Sequence, residues 1–240
     1  MLPLGEATIA NLAEVTRHLP MLLRASLINV QLLLALLVVG FLVGTVVALL
    51  QVYGGRFVGV VAFVYEWVFR SIPALVLLFL FYYGPAQFGL YISSFLAATL
   101  ALGFRSSAYQ SQVFRGAIQS VSPGQMLAAR SLGMGQARAV ISIVLPQAFR
   151  LSIPGWSNEF ASVVKDTTLA YAVGLNEIMR SARIIVDRRY DLAMLALLVV
   201  ALIFLAFTYA GNGLLGVVER RVRVPGLTTA EPGGTRREHG

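Results

Sequence analysis

Three stretches of this chain, 25–55, 71–104 and 192–218, contain no charged side chain. Each exceeds the roughly 20 apolar residues that a helix needs to cross a bilayer. A soluble domain carries about a quarter charged residues. Here only 12% are charged and 58% are hydrophobic, so both a soluble globular fold and a disordered chain are excluded. The medium this fold is built for is lipid. A net charge of +8 raises the question of a nucleic-acid partner, but the arginines sit at segment ends, as juxtamembrane anchors do, and not in one stripe. No nucleic-acid partner is expected. With no cysteine in the chain, disulfides, iron–sulfur clusters and thiolate zinc sites are out.

The gaps predict an all-α, polytopic membrane protein with about five transmembrane helices. The first covers 25–51 and ends at Gly54-Gly55. The second covers 57–83, with a kink expected at Pro73; Glu66 and Arg70 lie i,i+4 on it and can pair, more as a structural pair near the membrane edge than as a transport site. The turn dipeptide Gly84-Pro85 separates it from a third helix over 92–118, which holds Arg105 and Arg115. The fourth, 151–177, is interrupted by Asn158, Glu159, Lys165 and Asp166, and such residues mark a face turned toward protein or water. The fifth covers 192–216. Residues 1–20 read as an interfacial lead-in, 21–224 as the transmembrane domain, and 225–240 as a disordered tail rich in Gly, Thr and Pro. No signal peptide and no internal repeat are evident. Arginine counting sets ten (56, 115, 130, 138, 150, 220, 221, 223, 236 and 237) against six (17, 24, 180, 183, 188 and 189). The positive-inside rule then favours an outside N-terminus and a cytoplasmic C-terminus, although Arg188 and Arg189 run against it.

Between the third and fourth helices, Ser122-Pro123 with Gln125 three residues after the serine predicts a capping box and a helix start. Gly133 predicts a left-handed C-terminal cap. The resulting helix, of about 10 residues, is roughly 15 Å long and cannot span a membrane. A second helix is expected from Gln136 until Pro146 disturbs it. Spacing alone leaves two readings open: a structural helix lying at the interface, or a docking helix for another protein.

The string RGAIQSVSPGQMLAARSLG, from Arg115 to Gly133, resembles the "EAA" loop of binding-protein-dependent ABC importers. More narrowly, the chain is similar to the permease subunits of polar amino-acid importers. EWVFRSIPALVLLF (66–79), LPQAFRLSIPGWSNEFASVVKDTTLAYAVGLNEI (145–178) and the ending Glu219-Arg220-Arg221 carry the same likeness, which extends over about residues 19–222. The resemblance implies a multi-pass subunit of a bacterial or archaeal cell (inner) membrane. It implies partners too: ABC ATPase subunits, an extracytoplasmic substrate-binding protein, and a second permease copy or paralogue. Gln125, Leu127, Ala128, Ala129, Arg130, Leu132 and Gly133 would form the cytoplasmic coupling helix that meets the ATPase. Two positions depart from the pattern. Leu127 and Gln112 stand where the family usually carries acidic residues, which implies weaker or one-sided coupling and leans toward a second, different permease chain.

The chain has no G-K-[ST] phosphate loop, and its only histidines are His18 and His239. No catalytic residue, metal site or cofactor is expected, and ATP hydrolysis falls to a separate chain. Transport chemistry then rests on polar residues within the bilayer: Asn158, Glu159, Lys165, Asp166, Thr167 and Thr168 on the fourth helix, with Arg105 and Tyr109 on the third. Pro154 and Gly155 can open the fourth helix toward a substrate carboxylate, and Glu159 can attract an amino group. For Lys165 and Asp166, satisfaction of backbone groups is an equal reading; for Arg105, snorkelling competes with facing a partner or lumen. An ion-coupled secondary transporter or a passive channel subunit is the alternative in function, although the first usually shows paired inverted repeats.

Overall fold

The computed structural model describes residues 4–222, with residues 4–10 described by their backbone alone. The predicted tail lies outside the described residues. Nine α-helices are described: α1 (Leu4–Tyr53), α2 (Gly55–Ser71), α3 (Ala74–Ala86), α4 (Ser94–Ser120), α5 (Pro123–Ser131), α6 (Gln136–Ala139), α7 (Leu145–Asp166), α8 (Ile178–Arg188) and α9 (Ala193–Val222). The described residues include no strand.

Three stretches are long and apolar enough to cross a membrane: Asn11–Tyr53, Gln136–Val173 and Tyr190–Val222. The first lengthens the predicted 25–51 span, because α1 runs unbroken through Pro20 and the lead-in belongs to the same helix. The second predicted span is not one kinked helix. α2 and α3 meet at 103°, the bend of a broken span or a re-entrant loop. The break follows from Pro73, which forces Ile72 into an extended conformation (ψ 131°) and itself caps α3. α4 is less apolar than these three stretches yet is 27 residues long, or about 40 Å. Its polarity is tolerated because it is the interior helix, burying Ala97, Ala98, Ala101, Ser107, Gln110 and Ser111 among others.

Small residues allow α1 and α4 to approach. A Cβ on Gly44 would stand 2.9 Å from the Ser107 carbonyl oxygen, and one on Gly103 would stand 2.9 Å from Val39. Close backbone approach of this kind is how helices associate where lipid supplies no hydrophobic drive. One core joins Leu32 and Leu36 of α1 to Leu77, Leu78 and Leu102. A second joins Leu22 to Ile178, Ile185 and Leu192. The third, Ala48 with Phe114, Ile118, Val144 and Ala148, lies beside α5.

Three local expectations need correction. Ser122 caps α5 by position only, with no side-chain bond, so the predicted capping box is absent; Gln125 N–H is satisfied by the Ser122 carbonyl at 3.0 Å. Pro146 does not end the helix that begins at Gln136. A five-residue π turn, Val140–Val144, widens the ladder ahead of the proline and passes directly into α7. A π turn there relieves the clash between the proline ring and the carbonyl four residues back. Finally, α7 is not opened at Pro154 and Gly155. Gly155 serves packing, since a Cβ there would lie 2.9 Å from Val113 on α4. The span continues as a 3₁₀ turn, Thr167–Val173, and stops at Gly174 (φ +86°), short of the predicted 177.

Candidate functional site

α4 and α7 cross in the interior and bring together residues far apart in sequence. Arg105 donates to Asp166 at 2.6 Å, and Ser106 Oγ donates to Glu159 at 2.9 Å. Behind Ser106 a relay extends inward: Gln110 donates to Ser106 at 3.1 Å, and the Trp156 indole N–H donates to Gln110 at 2.7 Å. Each α7 carboxylate therefore has its own α4 partner. The Arg105 and Asp166 side chains are 23% and 27% exposed, so the pair is half-sheltered and still reachable. The buried Nε of Arg105 makes no hydrogen bond.

Tyr109 lies between two guanidinium groups, 5.0 Å from Arg105 and 5.1 Å from Arg70, within the range of a cation–π attraction. Arg70 in turn donates to Glu66 at 2.9 Å, as the i,i+4 spacing predicts. Glu66 is only 3% exposed and also accepts from Gln51 at 2.9 Å. The Glu66–Arg70 pair is thus one end of a continuous polar seam, Glu66–Arg70–Tyr109–Arg105–Asp166.

The other expected pathway residues divide by helix face. Asn158 and Lys165 are exposed, with Ser162 exposed between them, so α7 shows an open polar stripe at i, i+4, i+7. Lys165 makes no side-chain hydrogen bond or ion pair among the described residues. Thr168 bonds back to the Lys165 carbonyl at 2.8 Å. Thr167 stands apart from the cluster: it is buried, donates to the Val164 carbonyl and accepts from Asn29 at 3.1 Å. Asn29 also donates to Glu177 at 3.1 Å and accepts from Ile178 N–H. Glu177 caps α8 through the N–H groups of Met179 and Arg180. This buried knot ties α1 to the end of the α7 span. Burial pushes the Glu177 carboxyl above its ordinary value, against the lowering pull of those hydrogen bonds.

Ser106, Gln110, Trp156, Arg70 and Asn29 complete the polar framework without having been singled out as site residues from sequence. The available signal was weak: a serine and a glutamine at i,i+4 on a helix already marked by Arg105.

At the far end of the molecule α5 closes with Gly133 at φ +79°. Gly133 N–H bonds to the Arg130 carbonyl and Met134 N–H to that of Ala129, the paired bonds of a Schellman cap. Ala129 is buried, holding α5 to the body of the protein. Gln125, Ala128 and Arg130 are exposed; Leu127 and Leu132 are 70% and 83% exposed. Of the seven predicted coupling positions, six are open and one is the anchor.

A helical membrane body with a polar interior seam and a rigid, exposed loop helix is the build of a transport subunit. The chain belongs to the family described as the binding-protein-dependent transport system inner membrane component, which matches residues 12–224. It is 36% identical over 210 residues to the nopaline transport system permease protein NocM of Agrobacterium fabrum, covering 83% of this chain and 87% of that one. With the arginine ABC transporter permease protein ArtM of Escherichia coli it shares 35% over 168 residues, or 66% and 72% of the two chains. Among solved structures, an amino acid ABC transporter crystallised with histidines superposes with a TM-score of 0.78 at 33% identity, covering 87% of this chain and 97% of that one. The MetNI methionine ABC transporter shares the fold, at TM-score 0.69 and 18% identity over 85% and 99% of the chains. The family is a transport permease and not an enzyme, and it supports this reading over a secondary transporter or a channel.

Proposed function

We propose that this chain is the permease subunit of an ATP-driven importer and forms the translocation pathway for a polar amino acid. Family membership and relatives named as nopaline and arginine transport permeases support that reading. The observation that carries it here is the open stripe Asn158–Ser162–Lys165 beside the Arg105–Asp166 pair. A lysine facing hydrocarbon costs up to about 2.5–3.5 kcal/mol. This face therefore meets water and a second permease chain, copy or paralogue, across the pathway. The Arg105 guanidinium is the group for a substrate carboxylate; Glu159 and Asp166 are the groups for an ammonium. Tyr109 and Thr168 flank them, while Thr167 positions the end of α7.

Residues 21–224 form the transport domain, with the N-terminus outside and the C-terminus cytoplasmic. A substrate-binding protein delivers on the outer side. On the inner side α5 presents Gln125, Leu127, Ala128, Arg130 and Leu132 to a separate ATPase, which hydrolyses the ATP. Leu127 makes that contact apolar where an acid is usual. Uptake into proteoliposomes holding the chain, its ATPase and its binding protein tests the proposal. ATP-dependent accumulation is expected, falling about ten-fold or more in Lys165→Ala and Asp166→Asn with assembly intact. Uptake independent of ATP, or unchanged in both variants, overturns it.

A further inference from the structure

On the α5 side of the molecule, a cleft of about 390 Å³ opens between α1, α4, α7 and α9. Its walls are Phe41, Phe114, Phe149, Trp156, Leu215 and Val218. The polar atoms nearby are already engaged: Ser152 Oγ donates to the Phe149 carbonyl and the Trp156 N–H to Gln110. One charged group lines the cleft, Arg150, which is exposed and makes no hydrogen bond or ion pair among the described residues.

Direction matters here. α7 enters the body from the α5 side, so Phe149 and Arg150 stand at the outer end of the cleft, and Trp156 lies about 9 Å deeper at 1.5 Å per residue. α9 runs alongside, from Leu215 in the depth to Val222 at the same outer end. The cleft is therefore an aromatic slot parallel to the helices with a free guanidinium at its outer end. A polar amino acid finds no partner on such a wall. The segment following Val222, VPGLTTAEPGGTRREHG from 224, is too polar to fill it. A hydrocarbon chain with an anion at one end matches both parts.

We infer that this cleft binds one anionic phospholipid of the leaflet on the α5 side, its acyl chain in the slot and its phosphate on Arg150. A basic residue near an anionic headgroup strengthens binding by about five-fold, while the apolar wall takes either headgroup's chain. The cleft meets the α4–α7 seam only at Trp156, and its test does not depend on which substrate is carried.

Trp67 and Trp156 are the only tryptophans in the chain, so Trp67→Phe leaves Trp156 as a reporter inside the cleft. The full chain is placed in vesicles containing a small fraction of brominated-chain phosphatidylglycerol or, separately, brominated-chain phosphatidylcholine. Bromine quenches indole fluorescence on contact. The expected result is quenching of Trp156 by both lipids, with about a five-fold preference for the anionic one. Arg150→Gln removes that preference, and Ile153→Phe, which fills the slot from another residue of its lining, reduces quenching by both. The unquenched emission maximum and melting temperature verify folding of each variant. Equal quenching by the two lipids in the parent, or a preference that survives Arg150→Gln, overturns the inference. So does the absence of quenching, which means that a second copy or the chain's own C-terminal segment covers the cleft.

Discussion

α7 and α9 are both membrane-spanning helices, and they solve the same problem in opposite ways. The most apolar stretch of the α9 span is far more hydrophobic than that of the span containing α7. α9 buries little beyond Ala196 and Val200 and turns Leu197, Leu198, Leu202, Leu205 and Leu214 outward. Its charged residues Glu219, Arg220 and Arg221 come only in the last turns. α7 carries Glu159, Lys165 and Asp166 in its second half, and two of these are met by groups on α4. The difference shows what an ionic group in a span requires: a fixed counter-group on a neighbouring helix, or a face that does not meet lipid.

The strongest way to break the contrast is to remove a counter-group. Asp166→Ala leaves Arg105 uncompensated, costing about 3–4 kcal/mol and abolishing transport. The double variant Arg105→Ala/Asp166→Ala recovers most of the stability and none of the transport, a coupling that a double-mutant cycle of thermal melts and uptake rates measures. Next comes a charge placed where α9 has none. Leu202→Lys is expected to cost about 3 kcal/mol, seen as lost membrane insertion or faster degradation, whereas Ser162→Lys on the open face of α7 inserts normally.

A smaller effect tests the support behind the seam. In Gly44→Val the new side chain meets the Ser107 carbonyl, 2.9 Å from the Cβ position, and separates α1 from α4. A loss of about 2 kcal/mol is expected, read as a lower melting temperature in detergent. The smallest is a control on lipid-facing surface: Leu205→Val changes stability by no more than about 0.5 kcal/mol, and a larger loss would mean that α9 is covered by protein.

Much of this architecture is legible in sequence because lipid imposes long charge-free runs. The first and last spans, and the stop at Gly133, can be read from single residues. What sequence does not show is the response of the backbone to proline. Pro73 splits a span at 103°, Pro146 yields a π turn, and Pro154 is absorbed with no break. These outcomes depend on what packs around each ring. The same limit applies to the site. Arg105 and Asp166 can both be picked out as intramembrane charges, but their pairing across 61 residues is a property of helix crossing. Thr167 illustrates the converse: it is next to Asp166 in sequence, yet one helical step turns it inward to Asn29. Ser122 and Gln125 had the right spacing for a capping box, and the backbone carbonyl took the bond instead.

The most direct test uses the fact that the chain has no native cysteine. Single cysteines are introduced at Asn158, Ser162 and Lys165 on α7, and at Leu202 and Leu205 on α9. Each is exposed in the assembled transporter to a membrane-impermeant maleimide, which needs water to form the reactive thiolate. If the open face of α7 lines the pathway, the three α7 positions label, transported substrate slows that labelling, and the two α9 positions remain unmodified. Inert α7 cysteines, or labelling that does not distinguish the two helices, would contradict the assignment of α7 to the pathway.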